Sequence, residues 1–366
     1  MYIICFTFKG KILGEGFMKK CLFLLVALFL MLCFLSCTKE DETKGDSSVV
    51  LQGDKGGDTS NLSEEEAWKK EPMYGKEVII GYTGGLCTSA PALTKVKGYF
   101  DKCGIDVKVI NVQSKLDSLG TGKIQLMTDH IATLLVPTVN GMDIIFTTGA
   151  HTGCKSLYVL KDSGIDSTKD LIGKTVAVPD GIGDSDHNIG LRFFNHDGIS
   201  PKEVKFRQVE LSASILAMEN GEIQAVVMPD QFAETFMQEG KLKIIRSLTF
   251  DEDFQKEPCC IHAFSKTFVN ENPITAKKMT KAIKECSAWI QENIEEAAQA
   301  LFDNNWASGD YDQAVRMMKT YNWTISDEYT EEALKNIVDD YKTFGLIAEN
   351  KNTNDVLQTV WKPLLK

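Results

Sequence analysis

Between residues 77 and 228 the chain alternates short β-rich runs with stretches of helical apolar spacing, and this alternation constrains its fold more than any other feature. Residues 77–82 (Glu-Val-Ile-Ile-Gly-Tyr) form the first run, closed by Gly84 and Gly85. Residues 90–104 then place Leu93, Val96, Tyr99 and Phe100 at helical spacing, with Gly104 as a stop. Residues 107–112, 124–127 and 142–148 read as further strands, and 131–139 as a helix. A second series follows: a turn and strand over 170–178, a helix over 186–194, a strand over 203–209, a helix over 212–220 and a strand over 223–228. Strands separated by helices imply βαβ units and mostly parallel sheets. After Cys259-Cys260 the pattern turns helical, over 273–299, 310–320 and 328–344, and no tandem repeat occurs at solenoid periods.

The first 75 residues are of another kind. Met18-Lys19-Lys20 is a short basic start, 21–35 is an almost unbroken apolar run, and Leu35-Ser36-Cys37 closes it. Basic, apolar and small-residue regions in that order read as an export signal. With cysteine directly after the cleavage point, the segment resembles a bacterial lipoprotein signal, which implies lipidation of Cys37 and attachment to the membrane on its extracytoplasmic side. Residues 1–17 read as a spurious upstream extension, 18–36 as the signal, and 37–75 as a tether too polar to bury a core.

The remaining body is large for one core and natural for two lobes. The net charge of −11 and the absence of a basic stripe exclude nucleic acid as a partner. Only Arg192, Arg207, Arg246 and Arg316 could form bidentate anion clamps. Six cysteines lie in the body: Cys87, Cys103, Cys154, Cys259, Cys260 and Cys286.

The segment order resembles the type II periplasmic substrate-binding proteins, in particular the nitrate/sulfonate/taurine and thiamine-pyrimidine (NMT1-like) group that serves ABC importers. Residues 170–178 (Asp-Leu-Ile-Gly-Lys-Thr-Val-Ala-Val), 219–230 (Glu-Asn-Gly-Glu-Ile-Gln-Ala-Val-Val-Met-Pro-Asp) and 268–273 (Phe-Val-Asn-Glu-Asn-Pro) carry the resemblance. It implies an α/β fold of two lobes, each a mostly parallel sheet flanked by helices, with a ligand cleft between them. The expected divisions are 76–168 for the first part of lobe 1, 169–256 for lobe 2, and 257–366 for the return to lobe 1 with C-terminal helices. The resemblance also implies a monomer without catalysis or cofactor, handing a small molecule to ABC permease subunits. Alternatives are a pyrimidine-synthase-like or metal-dependent protein using a Cys/His-rich cleft, and a ligand-binding sensor module.

Ligands of open α/β sheets lie beyond the carboxyl ends of the strands. The loops there supply the candidate ligand-binding residues Tyr82, Gly85, Cys87, Thr88, Asp129, His130, His151, Thr152, Cys154, Gly181, Asp184, Asp186 and Asp230, and the return strand adds Cys260 and His262. The cysteines could be small buried hydrophobes, disulfide partners, ligand contacts or metal ligands. His151-x-x-Cys154 and Cys260-x-His262 are not standard zinc spacings, and no metal is expected. On an extended strand Cys259 and Cys260 point to opposite faces, with His262 sharing the face of Cys260. Gly181-Ile-Gly183 before a helix resembles an anion cradle, but Asp184 and Asp186 at that helix start, with Asp129 and Asp230, favour a neutral or cationic ligand such as a pyrimidine. Tyr82 and Phe232 are candidates to stack on it, Phe232 more naturally packing with Phe236 and Met237.

Overall fold

The structure, a computed structural model, describes residues 63–365. The proposed signal, Cys37 and residues 37–62 of the expected tether lie outside the described residues, whereas residues 63–75 are not tether: Ser63 caps the helix Glu64–Trp68, and Trp68 is buried with its Nε1 donating to Thr275 Oγ1 (2.9 Å). Among those described, no helix is long and apolar enough to cross a membrane.

Among the described residues, ten strands form two five-stranded sheets. The first has the order β2 (Val107–Ile110), β1 (Val78–Gly81), β3 (Leu126–His130), β10 (Pro258–Ser265), β4 (Ile144–Thr152). The second has β7 (Lys205–Arg207), β6 (Thr175–Ala177), β8 (Ala225–Pro229), β5 (Lys155–Leu160), β9 (Leu242–Ser247). In each sheet the first three strands are parallel, as the βαβ pattern requires, and the fourth runs antiparallel to both neighbours. The fold is therefore α/β in two lobes.

The antiparallel strand is in each case where the chain has just come from the other lobe. β4 of the first sheet passes into β5 of the second through Gly153 and Cys154 alone, and β9 leads back to β10. The sequence pattern marks no strand at 155–160 and opens the second unit near Ser167. Pairing of Lys155–Leu160 with β8 and β9 instead puts the first crossing at Gly153-Cys154. The crossing is tight because Gly153 and Cys154 both take positive φ (82° and 97°). A Cβ at Gly153 would meet the Thr249 hydroxyl at 2.9 Å, whereas Cys154 is a non-glycine residue held in a sparsely allowed conformation. Its amide donates to Thr249 Oγ1 (2.9 Å), and its carbonyl accepts from the Asp230 amide (2.9 Å).

Elsewhere glycine and asparagine divide expected helices. Residues 90–104 form two short helices, Ala90–Val96 and Tyr99–Lys102, broken where Gly98 turns left-handed (φ 73°). The stretch 273–299 divides at Asn293 into Pro273–Glu292 and Ile294–Asp303. The largest apolar cluster spans both sheets, joining Leu86, Ala90 and Leu93 to Val176, Phe193 and Trp323. Phe232 packs beside Phe236, ring centres 5.5 Å apart, in the second lobe.

Candidate functional site

The two crossings run side by side, and the side chains gathered there come from six segments. The loop after β1 brings Cys87, the end of β3 brings Asp129 and His130, and β4 brings His151. The first crossing adds Cys154 and Lys155, β10 adds Cys259 and Cys260, and the C-terminal region adds Tyr321 and Trp323. Ligand atoms of Cys87, His151, Cys154 and Cys260 lie within 4.8 Å of one another, and so do those of His130, Cys154, Cys259 and Cys260.

All six body cysteines are free thiols. Cys154 Sγ lies 3.0 Å from Cys259 Sγ and 3.5 Å from His130 Nε2. Cys259 and Cys260 do not part to opposite faces. The pairing of β10 with β4 shifts register on either side of Cys260, a bulge that turns both thiols toward the same cluster. Burial alone raises a thiol pKa. At Cys259 the thiols of Cys154 and Cys260 outweigh burial and bring the pKa down, while burial, Cys154 and Cys259 push Cys260 up.

Both cluster histidines are oriented from behind. His130 Nδ1 is 3.1 Å from the Asp129 carboxylate. Burial and Lys155 lower the His130 pKa, yet Cys154 and Asp129 overcome them and raise it to about 10. Burial pulls Asp129 the other way, but hydrogen bonding to His130 and a 2.8 Å pair with Lys115 hold it well below the ordinary carboxylate range. His151 Nδ1 is 2.8 Å from the Thr152 carbonyl, and its ring lies against Tyr321 (4.8 Å) and Trp323 (5.4 Å). Its Nε2 is buried without a hydrogen-bond partner.

His262 is set apart. It is buried in the sheet with Nδ1 2.7 Å from Thr128 Oγ1, and burial pushes its pKa down to about 3, so it is a neutral, packed side chain. Tyr82 is also buried. Its hydroxyl donates to the Gly85 carbonyl (3.0 Å) and its ring meets Trp306 edge-on at 5.5 Å. Gly85 takes φ 121° and opens the 3-10 turn Leu86–Thr88 that positions Cys87. Thr152 accepts from the Asn322 amide (3.1 Å), tying β4 to the C-terminal region.

The acidic residues do not present free negative charge. Lys155, buried at the crossing, binds Asp180 (2.6 Å), Ser185 Oγ (2.7 Å) and Asp186. Asp186 also accepts from the Asp180 amide (2.8 Å). Asp184 caps the helix Ser185–His196, accepting from the Ser185 amide (2.6 Å), so a carboxylate already fills the expected anion cradle beside Gly181. Asp230 accepts from Tyr158 (2.6 Å) and Thr249, and burial raises its pKa. Each of these acids is thus matched within the protein. The sequence pattern singles out neither Lys155 nor Tyr321 and Trp323; a lone lysine in an unmarked strand and two aromatics far along the chain give no local signal.

Other contacts bring the lobes together. Thr133 donates to Asp184 (2.7 Å), Asn188 to the Ala132 carbonyl (2.8 Å), and Arg192 to Asp340 (2.7 Å) while pairing with Glu257 (2.8 Å). His196 reaches Asp340 (3.0 Å) and Asp253 (3.3 Å).

Two lobes joined by crossing strands, with polar side chains gathered where they meet, define the periplasmic-binding fold. Solved structures of that fold match most of this chain. The alkanesulfonate-binding protein SsuA of Xanthomonas axonopodis pv. citri, bound to MOPS, is 15% identical with a TM-score of 0.62, covering 78% of this chain and 98% of its own. The periplasmic aliphatic sulphonate-binding protein SsuA of Escherichia coli is 15% identical (TM-score 0.63; 79% and 93% covered). The periplasmic nitrate-binding protein NrtA of Synechocystis is 16% identical (TM-score 0.60; 78% and 86% covered). No curated protein sequence matches the chain. The NMT1/THI5-like family model matches residues 91–297, more than half of the sequence, and the chain belongs to that family.

Proposed function

We propose that this protein is a solute-binding component of an ABC importer, anchored outside the cytoplasmic membrane through lipid on Cys37. A small molecule would bridge the lobes at the crossing strands, and the closed form would be what the permease subunits recognise. The observation that carries this is the double crossing itself: the chain passes between the sheets beside residues that both lobes and the hinge contribute. Membership of the family and the likeness to binding proteins of known structure support it. Binding and closure suffice, and no catalytic step is required.

For the solute, the charge pattern supports a neutral molecule over a sulfonate or nitrate. Lys155 and Lys115, the lysines at the site, are committed to carboxylates, and Arg192 is committed to Asp340 and Glu257. A neutral heterocycle such as a pyrimidine would meet this charge-balanced surface without leaving a buried charge unpaired.

Native mass spectrometry of the purified protein before and after denaturation tests this directly. An organic adduct lost on denaturation is expected, and its mass identifies the solute class. The reading is overturned if no adduct forms and no neutral heterocycle, sulfonate or nitrate raises the melting temperature.

A further inference from the structure

We propose that Cys87, His151, Cys154 and Cys260 form a binding site for one thiophilic d10 cation, Zn(II) or Cu(I). Three thiols and one imidazole are a Cys3His set, a combination found in tetrahedral zinc sites. Soft sulfur donors select zinc and cuprous copper against magnesium, calcium or manganese. The four ligand atoms lie within 4.8 Å of one another, close to the roughly 3.8 Å separation that ~2.3 Å metal–sulfur bonds impose on a tetrahedron.

The distinguishing observation is His151. The Thr152 carbonyl can only accept, so at 2.8 Å it fixes the proton on Nδ1 and leaves the lone pair on Nε2. That nitrogen is buried and has no partner. An imidazole steered from behind by a carbonyl, grouped with three thiols and with its other nitrogen left unpartnered, matches how metal-ligating histidines are held. Tyr321 and Trp323 fix the plane of the ring. Cys154 adds independent support, because a non-glycine residue at φ 97° is kept there by two backbone hydrogen bonds, and such outliers gather at functional sites. Simple thiol packing accounts for neither the unpartnered nitrogen nor the strained cysteine. His130, whose Nε2 already contacts Cys154, lies in the second, overlapping group and is assigned a supporting place.

This inference uses residues of the proposed solute site but does not depend on that function. The test is to reduce the purified full-length protein, strip it with chelator, and titrate it anaerobically with Zn(II), or with Cu(I) under reductant, against a chromophoric competitor. Native mass spectrometry should show one metal per chain, and Co(II) should give an intense thiolate charge-transfer band. Cys154→Ser and Cys260→Ser should each weaken binding about a hundredfold or more. His151→Ala should weaken it more than His130→Ala, whose loss should stay within the ~10–100-fold typical of supporting groups. Cys103→Ser, outside both groups, should change nothing.

The wild-type Co(II) spectrum keeps the test decisive even if a variant fails to fold. Absence of a stoichiometric metal and of the charge-transfer band overturns the inference, as does binding that survives Cys154→Ser with Cys260→Ser. An organic adduct without metal affinity would sink the metal site and leave the solute reading intact; metal binding without an adduct would uphold the site alone.

Discussion

A lysine ammonium sealed inside a protein needs its charge and its hydrogens matched, and Lys155 has both. Asp180, Asp186 and Ser185 surround its Nζ, and although burial opposes the charge, the two carboxylates hold its pKa above the ordinary lysine value. Removing one partner of such a network strands the other buried charge, which costs about 3–5 kcal/mol. Lys155→Met should therefore lower stability by about that much in urea denaturation. Lys155→Met combined with Asp186→Leu should recover part of the loss, since a buried pair can often be replaced by apolar groups of similar volume. An unchanged midpoint in Lys155→Met would show that the network contributes nothing. At this scale the sequence was half legible. Cysteines and histidines on loops at strand ends could be recognised as converging. Their grouping could not, because the bulge that turns Cys259 and Cys260 to one side arises from pairing with β4, far away in the chain. Nor could the neutralisation of Asp180 and Asp186, which depends on Lys155 at the start of the unmarked strand β5.

At the scale of elements, the helix Ser185–His196 carries the contacts that hold the lobes together. Its first turn meets the helix Ile131–Val139 through Asp184, and its last turns bring Arg192 and His196 to Asp340 on the helix Asp327–Thr343. The hydrogen bond to Asp340 raises the His196 pKa, with Asp253 acting the same way, while burial and Arg192 oppose it. A group whose pKa is raised on folding stabilises fully below its unfolded value of 6.5 and loses that contribution as pH rises through the folded value. Closure should thus weaken as pH climbs above about 6.5, read as a larger radius of gyration in small-angle scattering. His196→Gln should flatten that dependence; a profile identical to wild type would remove His196 from the latch. The helices and parallel strands were legible because their apolar periodicity is local. The strand Lys155–Leu160 was not, since it follows the preceding strand with only Gly153-Cys154 between and acquires its place from β8 and β9.

Over the whole molecule, one apolar cluster runs through both lobes and the C-terminal helices. A shared core predicts one calorimetric unfolding transition, and two resolved transitions would contradict it. A solute that binds only the folded form should raise that transition, adding about 2.7 kcal/mol at a hundredfold excess over Kd. The two-lobed α/β architecture was the most legible property of all, because the strand–helix alternation repeats twice along the chain.

The placement of β10 also bears on the order in which the protein can form during synthesis. Every strand of the second sheet has been made by Ser247, in one continuous stretch. The first sheet begins seventy-odd residues earlier but lacks its fourth strand until Ser265, and Phe146 of β4 is bridged by Trp361, near the end of the chain. The half that leaves the ribosome first must therefore wait, its β3 and β4 edges unpaired, for the half that leaves last. Any factor that guards the nascent chain has the β3 and β4 edges to shelter from the synthesis of Thr152 until that of Ser265.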